Sequence, residues 1–413
     1  MIHRRGFLGT ATAAAAAAVA APVDLSLQCR KDFPRAMNET YFNSAAQHPL
    51  GNHCVASMQR YIDFMHKGPG EGRKDFWEEG FSQVKPMFAR LINAKPSEIA
   101  FTGSTTIGEN TILNGMDLHG GNVVTNDLHY TASLSNYLTR HQVQGLDVRI
   151  VKNHDWVIDM KEMERAVDSR TKLIAVSLVS SVNGHMENIK ALSDLAHSHK
   201  AYLFADIIQS CGSTPIDVKA MGIDFASTAM YKWLQGEHGY GFLYIKEDLV
   251  GSVVKPTDFT GHPDFNYAPW VWKPAPGPAG LINHAAEGVA AFDCGTPSVI
   301  TYAAQHAAFE YIAKLGVENI RAHANRLIAR LQKELPPLGY TSITPKGTQS
   351  SIVTFLCKDA EAVRRKIRAS KAKILLTGPN SALTVGRFGN HIRFSVSVFN
   401  NDQDINTILE VLA

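Results

Sequence analysis

Short apolar segments alternate with stretches of helical character between residues 98 and 245, and this alternation limits the folds open to the chain. Three apolar segments are almost uninterrupted, as expected of strands buried on both faces of a sheet: 171–177, 201–206 and 241–245. Shorter segments of strand character are found at 99–101, 122–125 and 146–151. The pattern favours an α/β domain around a mainly parallel sheet.

The chain has 413 residues, which is more than one simple core accommodates. Two long helices are predicted after residue 299, followed by a strand–helix–strand–helix unit. The predicted organisation has four parts: a leader (1–21), an N-terminal segment that joins the smaller domain (22–60), a large α/β domain (61–298) and a small α+β domain (299–413). Residues 255–291 are rich in Pro, Gly and aromatic residues, which predicts a long irregular functional loop.

The leader has the pattern of an export signal. Arg4 and Arg5 precede an alanine-rich, weakly apolar run, and residues 18–20 (Ala-Val-Ala) fit a cleavage site. The pattern resembles the twin-arginine signal and predicts a periplasmic location; a disordered alanine-rich leader is the alternative. Beyond the leader, the sequence has no long, continuously apolar stretch, so we expect no membrane insertion of the mature chain.

Charge and cysteine content exclude some classes of function. A formal net charge of +3 gives no argument for nucleic-acid binding, which requires a clustered basic face. The five cysteines are scattered, without a Cys-x-x-Cys pair or a Cys/His cluster at metal-binding spacing. We therefore expect no metal site, and cysteines that are reduced and mostly buried.

Lys232 lies in an aromatic and apolar segment, Tyr231-Lys232-Trp233-Leu234. A charged lysine is unfavourable in such surroundings. Desolvation lowers the pKa of its amine, as a nucleophile that forms a Schiff base requires. Taken alone, the segment is weak support for this role, because a lysine whose amine reaches the surface is the default interpretation.

Polar residues follow two of the predicted strands. Asp206 ends the segment 201–206 at the carboxyl end of a strand, where α/β folds bind ligands. A carboxylate there can keep a pyridine nitrogen protonated, or it can cap a helix. Residues 103–106 (Gly-Ser-Thr-Thr) lie between a strand and a helix, where hydroxyls and backbone amides bind phosphate or simply cap the helix.

Together these segments resemble the class V aminotransferase-like branch of the fold-type I pyridoxal 5′-phosphate (PLP) enzymes. Relatives include cysteine desulfurases, isopenicillin N epimerase-like proteins and kynureninases. The resemblance extends over about residues 40–410 and is most specific at 205–245, where Asp206, Gln209 and Lys232 follow the family's order. It implies a large, mainly parallel domain with a smaller α+β domain. It also implies PLP bound by Lys232 as a Schiff base, Asp206 on the ring nitrogen and Gln209 on the ring hydroxyl.

The resemblance implies further contacts with the cofactor. Thr105 and Thr106 match positions that bind the phosphate. Tyr130 matches the aromatic residue that stacks on the pyridine ring, and the adjacent His129 is the alternative if the register differs by one residue. Tyr231 stands where many relatives have histidine and kynureninases have a tyrosine that can reach the phosphate.

Other matches concern the substrate and a second subunit. Thr296, in the motif Phe-Asp-Cys-Gly-Thr-Pro, matches a threonine that reaches the phosphate of the neighbouring subunit, which implies a homodimer with composite active sites. Arg393 matches the arginine that binds the substrate α-carboxylate, a role that suits its bidentate guanidinium. Ser180 and Asn183 are expected to face the substrate, although Asn183 replaces the family's usual threonine.

The resemblance leaves the final reaction open. The Lys232 amine would remove or return the α-proton of an amino acid or an amino-acid-containing peptide, with an epimerase, lyase or aminotransferase outcome, and an exported enzyme could tailor a secondary metabolite. Residues 375–391 contain no cysteine, whereas desulfurases carry their nucleophilic cysteine there, so this activity is disfavoured. A degenerate, non-catalytic member would be expected to lack Lys232 or Asp206. A dehydrogenase would need a Gly-x-Gly-x-x-Gly turn after the first strand, and the sequence has none there.

Overall fold

The apolar segments between residues 98 and 245 form the strands of one sheet, with helices packed on both faces. A computed structural model describes residues 24–68, 81–257, 261–263, 283–295, 298–377 and 390–413. The leader, Thr296 and much of the loop predicted at 255–291 lie outside these residues.

The helices and strands follow one another over the whole described chain. The helices are α1 (Ser26–Cys29), α2 (Pro34–Asn38), α3 (Asn52–Lys67), α4 (Phe81–Leu91), α5 (Thr105–Gly115), α6 (Thr131–Gln144), α7 (Met160–Ala166), α8 (Ile189–Ser198), α9 (Val299–Leu315), α10 (Val317–Glu334), α11 (Ala360–Arg368) and α12 (Asp402–Leu412). The strands are β1 (Thr40–Tyr41), β2 (Ile99–Thr102), β3 (Asn122–Asn126), β4 (Asp147–Val151), β5 (Thr171–Ser177), β6 (Tyr202–Asp206), β7 (Phe225–Ala229), β8 (Gly241–Ile245), β9 (Gly261–Pro263), β10 (Asn283–Ala285), β11 (Ile352–Leu356), β12 (Ala372–Lys373), β13 (Leu375–Thr377) and β14 (His391–Ser395).

The main sheet has seven strands in the order β2-β8-β7-β6-β5-β3-β4. Strands β7, β6, β5, β3 and β4 are parallel to their neighbours in this series. Strand β8 runs antiparallel to both β2 and β7, so that β2 points the same way as β7. The predicted α/β fold around a mainly parallel sheet is confirmed.

Successive residues of the central strands pack on opposite faces of this sheet, as the two-residue period of a strand requires. Leu203 and Ala205 of β6 lie in the same apolar cluster as Phe88 of α4. Phe204, between them, packs in a second cluster with Ile112 of α5. The large domain therefore has three layers, and the central strands of its sheet are buried on both faces.

Strand β7 was missed by sequence reasoning. Its segment Phe-Ala-Ser-Thr-Ala lacks the continuous apolar pattern of its neighbours, yet all five residues are buried. The small residues fit because α5 lies very close: a Cβ on Gly108 would approach Ser227 Oγ to 2.3 Å. This contact brings α5 against the strand that leads to Lys232.

A second, three-stranded antiparallel sheet has the order β11-β14-β13. Leu327 of α10, Val353 of β11, Phe394 of β14 and Ile405 of α12 belong to its core. The N-terminal segment joins this part of the chain, since β1 pairs with β12 and Arg30 forms a bidentate pair with Asp404. The domain limits at residues 60 and 298 stay predictions.

Strands β9 and β10 form an antiparallel pair inside the segment predicted to be irregular, so that segment contains regular structure where it is described. None of the helices in the described ranges is long and apolar enough to cross a membrane.

Candidate active site

Four segments that carry predicted site residues meet at one edge of the main sheet. Strands β2, β5, β6 and β7 point the same way, so their carboxyl ends lie along the same edge. Asp206 ends β6, Lys232 follows β7 and Thr105 begins the helix after β2. The site therefore lies where α/β folds bind ligands.

Lys232 is buried, with 6% of its surface exposed. Burial, and to a smaller extent the Arg393 charge, lower the pKa of its amine from the ordinary value of 10.5 to about 7, although the carboxylate of Asp206 opposes this shift. The amine lies 5.8 Å from the centre of the Tyr130 ring and 5.6 Å from that of Tyr231. A large fraction of Lys232 is therefore uncharged near neutral pH and can act as a nucleophile or a base.

Asp206 is also buried, and its carboxylate is oriented by two donors. The Ile208 amide donates to Oδ1 at 2.9 Å, and the Ser177 hydroxyl lies 3.4 Å from Oδ2. Burial raises the pKa of Asp206, while the nearby His129 and Lys232 lower it. Turns rather than a helix follow Asp206, so the alternative that it caps a helix is wrong.

Gln209 lies beside this carboxylate in the turn after β6. Its Nε2 donates to the Ala45 carbonyl at 3.1 Å, and its Oε1 accepts from the Trp233 indole at 3.1 Å. The amide nitrogen carries two hydrogens, so a second N–H is left for a ligand. The two bonds fix the orientation of the amide.

The structure separates the two candidates for the stacking residue. Tyr130 is half-buried within the site, where burial and the Asp206 charge raise the pKa of its phenol and Arg393 opposes the change. His129 is 1% exposed and lies behind, with its ring nitrogens 2.8 Å from Ser177 Oγ and 3.2 Å from Glu109 Oε1. Tyr130 is thus the aromatic residue that faces Lys232.

The start of α5 offers unpaired polar groups. Thr105 Oγ1 is buried and, among the described residues, has no hydrogen-bond partner, and the same holds for Ser227 Oγ on the adjacent β7. Ser104 caps the helix by accepting from the Ile107 amide at 3.2 Å. Thr106 is half-buried beside Thr105. Ser227 is a residue that sequence reasoning missed, because its strand was not recognised.

Tyr231 precedes the lysine and is half-buried. Its ring stacks on His238 with centroids 3.9 Å apart, and its carbonyl accepts from the His48 amide. Burial, together with Tyr130 and Asp206, raises the pKa of the Tyr231 phenol to about 12. It therefore remains a neutral hydrogen-bond donor at neutral pH.

Arg393 reaches the site from the second sheet. It lies on β14, is 6% exposed and donates from Nη1 to the Ser181 carbonyl at 2.7 Å. Burial lowers the pKa of its guanidinium to about 10, and Tyr130 opposes this shift. Its Nε has no partner, and no carboxylate within the described ranges forms a salt bridge with it. A buried cation of this kind favours an anionic ligand.

Ser180 and Asn183 are used within the fold. The Ser180 hydroxyl donates to the Leu128 carbonyl at 2.9 Å. The Asn183 amide donates to the carbonyls of Trp156 and Ile343 at 2.8 and 3.2 Å. Both side chains are buried and stabilise the loop after β5, whose Ser181 carbonyl holds Arg393. Their predicted contact with substrate stays a prediction.

Comparison with known proteins agrees with this geometry. Residues 40–408 match the sequence model of the family described as aminotransferase class-V. The chain belongs to the class V aminotransferase family. The members and structures it resembles include proteins named as desulfurases and as aminotransferases.

Two curated relatives and one solved structure illustrate the similarity. A probable cysteine desulfurase of Methanothermobacter thermautotrophicus is 26% identical over 93% of this chain and 96% of its own length. An uncharacterized aminotransferase of Bacillus subtilis is 27% identical over 73% of this chain and 77% of its own. The apo structure of a cysteine desulfurase from Thermococcus onnurineus has 22% identity and a TM-score of 0.80, covering 94% of this chain and 96% of that one. That structure supports the fold.

The residues at the sheet edge fit PLP, the cofactor implied by the family. The buried Lys232 amine suits an aldehyde, and the buried Asp206 carboxylate suits a protonated pyridine nitrogen. The unpaired hydroxyl of Thr105, at a helix N-terminus, suits a phosphate, and the unpaired hydroxyl of Ser227 lies on β7 against the same helix. The predicted contact of Thr296 lies outside the described residues.

The pKa of Lys232 predicts a pH-dependent stability of the apoprotein. Between about pH 7 and 10.5 the unfolded chain keeps a proton on Lys232 that the folded chain has lost. The free energy of unfolding therefore rises with pH in this window, by at most about 1.4 kcal/mol per pH unit from this group. Below about pH 7 the lysine is charged in both states and this stabilisation is absent.

Urea unfolding of the apoprotein at several pH values measures this dependence. Lys232→Met, which retains an apolar stem without an amine, is the matched control. We expect wild type to gain stability relative to Lys232→Met as pH rises from 7 to 10. Parallel curves for the two proteins would contradict a lowered pKa.

Proposed function

We propose that this chain is a PLP-dependent enzyme that acts at the α-carbon of an amino acid or an amino-acid-containing peptide. The observation that carries the proposal is the buried amine of Lys232, close enough to the Asp206 carboxylate and the Arg393 guanidinium for both charges to shift its pKa. These three groups match three needs of such a reaction: a cofactor attachment point, a partner for the ring nitrogen and an anion site for the substrate.

Each residue of the candidate site would contact a different part of the cofactor. Asp206 would hold the ring nitrogen protonated, Gln209 would donate its remaining N–H to the ring hydroxyl, and Tyr130 would cover the ring. Thr105 would donate to the phosphate, supported by the neighbouring Ser227, Thr106 and Tyr231. When bound, PLP supplies an electron sink for negative charge that develops at the α-carbon.

Arg393 would orient the substrate by pairing with its α-carboxylate. The guanidinium can form two parallel hydrogen bonds with a carboxylate, and its existing bond to the Ser181 carbonyl limits its rotation. A carboxylate would also neutralise a cation that is now buried without a described counter-charge. This pairing fixes which face of the α-carbon points at Lys232.

Lys232 would move the α-proton. An amine with a pKa of about 7 can accept a proton at neutral pH and return it as an ammonium group. Burial keeps water from the amine and so favours transfer between Lys232 and the substrate. If the proton returns to the opposite face of the α-carbon, the outcome is that of an epimerase. If the proton is delivered to another atom, the outcome is that of an aminotransferase. If a side-chain group leaves, the outcome is that of a lyase.

The cysteines do not support desulfurase activity, although several relatives carry that name. Four of them are buried, at positions 29, 54, 211 and 357, and Cys294 is exposed. Burial raises the pKa of every one, which disfavours the nucleophilic thiolate. The segment 375–391, where desulfurases carry their cysteine, has none in this sequence.

A homodimer with composite active sites is also part of the proposal. Residues 293–295, immediately before Thr296, line a cleft of about 350 Å³ together with Thr102 and Ile107 near the start of α5. Ile107 is 51% exposed, which is unusual for a large apolar residue next to a polar site. The position of this cleft and of Ile107 supports the binding of a second subunit near the start of α5, where the phosphate would bind.

We propose that the twin-arginine pathway exports the folded enzyme to the periplasm. The paired arginines and the alanine-rich run support this location, because that pathway carries folded proteins with their cofactor. Replacing Arg4 and Arg5 by lysine should retain the protein in the cytoplasm with its cofactor bound. An unchanged periplasmic fraction in this double variant would contradict the assignment.

The proposed reaction is tested by mixing the PLP-loaded enzyme with a panel of amino acids and peptides with free N-termini. We expect a change in the visible absorption for the true substrate class, and a product that mass spectrometry identifies. Arg393→Ala should weaken the amino-acid response at least tenfold while PLP affinity stays within about twofold, because the substrate carboxylate loses a charged partner.

Arg393→Lys is the matched control, since it retains the charge and loses the fork, and it should show an intermediate loss. Equal losses of PLP and amino-acid affinity in Arg393→Ala would overturn the role assigned to this residue. Bound PLP with neither a spectral response nor a product for any substrate would favour a non-catalytic PLP-binding protein.

A further inference from the structure

A buried network of hydrogen-bonded polar side chains lies behind the candidate active site, and sequence reasoning assigned no function to its innermost member, Glu109. Glu109 lies on α5 one turn beyond Thr105 and is 1% exposed. Its carboxylate accepts hydrogen bonds from the hydroxyls of Ser133 and Tyr137, the latter at 2.6 Å, and from the His129 ring at 3.2 Å. A carboxylate this deeply buried needs such donors to remain stable.

The hydrogen-bond network continues from His129 towards Asp206. His129 Nδ1 lies 2.8 Å from Ser177 Oγ, and Ser177 Oγ lies 3.4 Å from Asp206 Oδ2. The four groups therefore run in the order Glu109, His129, Ser177 and Asp206. Each member is at most 5% exposed, so water does not screen the charges strongly.

The donors and acceptors of this network determine which of its atoms carry hydrogens. The Glu109 carboxylate can only accept, so His129 donates to it from Nε2. The Ser177 hydroxyl has one hydrogen. If that hydrogen points to Asp206, Ser177 must accept from His129 Nδ1, which then carries a hydrogen as well. The geometry that connects all four groups thus requires a doubly protonated His129.

Charge favours the same arrangement. Burial alone would raise the pKa of Glu109, but the hydrogen bond and charge of His129, with the two hydroxyls, lower it overall. An ionised Glu109 accepts the hydrogen of His129 Nε2 at 3.2 Å and attracts a positive charge on the ring. A positive charge on His129 stabilises the Asp206 carboxylate, together with the Ile208 amide and Lys232, against burial and the repulsion of Glu109.

We propose that Glu109, through a doubly protonated His129 and Ser177, positions Asp206 and keeps it ionised so that it holds the cofactor's ring nitrogen protonated. This inference rests on the proposed function, because it assigns a purpose to residues that do not touch the cofactor. Glu109, His129 and Ser177 are positioning residues that act through Asp206. Without the Glu109 carboxylate, the His129 ring loses the acceptor for its Nε2 hydrogen, the Ser177 hydroxyl is free to turn its hydrogen towards the ring, and Asp206 loses a donor.

Other charged and titratable groups also face Asp206 and must remain constant in any test. The electrostatic neighbours that bear on it, or on which it acts, are Glu109, His129, Lys232, Tyr130, Tyr137 and Tyr231. The test therefore measures the protonation of the ring nitrogen directly, at one fixed neutral pH, instead of a rate.

The experiment uses protein loaded with PLP labelled with nitrogen-15 in the pyridine ring, and compares the nitrogen chemical shift among variants. Glu109→Gln keeps the shape and a hydrogen-bond acceptor but removes the charge. Ser177→Ala cuts only the link to Asp206 and leaves the Glu109–His129 pair intact. Ser133→Ala is the matched control, because it removes one hydrogen bond from Glu109 without interrupting the path to Asp206.

We expect the wild type and Ser133→Ala to give the shift of a protonated pyridine. Glu109→Gln and Ser177→Ala should move it substantially towards the unprotonated value, and PLP affinity should fall severalfold. If Glu109→Gln does not fold, Ser177→Ala decides the question alone. Thermal unfolding of each apoprotein separates this effect from a purely structural one, which would lower stability and leave the nitrogen shift unchanged.

A wild-type nitrogen shift in both Glu109→Gln and Ser177→Ala would overturn the inference and leave the proposed function intact. A wild-type protein that binds no PLP would contradict the proposed function itself, and the inference would fall with it. The two failures are therefore distinguishable.

Discussion

Desolvation of the Lys232 amine is the interaction on which the rest of the site depends. A lysine surrounded by Tyr231, Trp233 and the end of a buried strand is unfavourable as an unpaired ammonium ion, so its proton affinity falls. This environment exists because β7 lies between two other buried strands and brings the lysine under the surface at the carboxyl edge of the sheet. The same environment makes every nearby charge strong, because little water screens it.

The other groups of the site balance this buried amine. Asp206 contributes a negative charge and Arg393 a positive one, and Tyr130 lies within the influence of both. Arg393 belongs to the second sheet, so the site requires the two sheets to be held in a fixed relation. The loop after β5 provides that link: Ser181 accepts from Arg393, and Thr354 of β11 donates to Val182 at 2.8 Å.

Much of the fold could be predicted, because strands that are buried on both faces have almost continuously apolar sequences. The strands at 171–177 and 241–245 have the same bounds in the structure as in the prediction. Strand β7 could not be predicted in this way, because the close approach of Gly108 on α5 requires small residues on the strand instead of large apolar ones. The reversed direction of β8 also leaves no trace in an apolar segment of five residues.

Some residues of the candidate site could likewise be predicted from the sequence, and others could not. Lys232, Asp206, Gln209, Tyr130 and Arg393 were found because each has a chemical role that a motif preserves. Ser180 and Asn183 came from the same resemblance, yet their side chains bond to backbone carbonyls, a choice that only tertiary structure fixes. The Glu109 network is equally hidden, because its four members come from four separate segments and meet only through hydrogen bonds.

The central claim, that Lys232 carries PLP, is tested most directly by reducing the PLP-loaded protein with borohydride and mapping the modified peptide by mass spectrometry. The account predicts one pyridoxyl-phosphate group per chain, attached to Lys232, and a yellow protein that loses its colour on reduction. A label on another lysine, or no borohydride-sensitive colour in protein supplied with PLP, would contradict it.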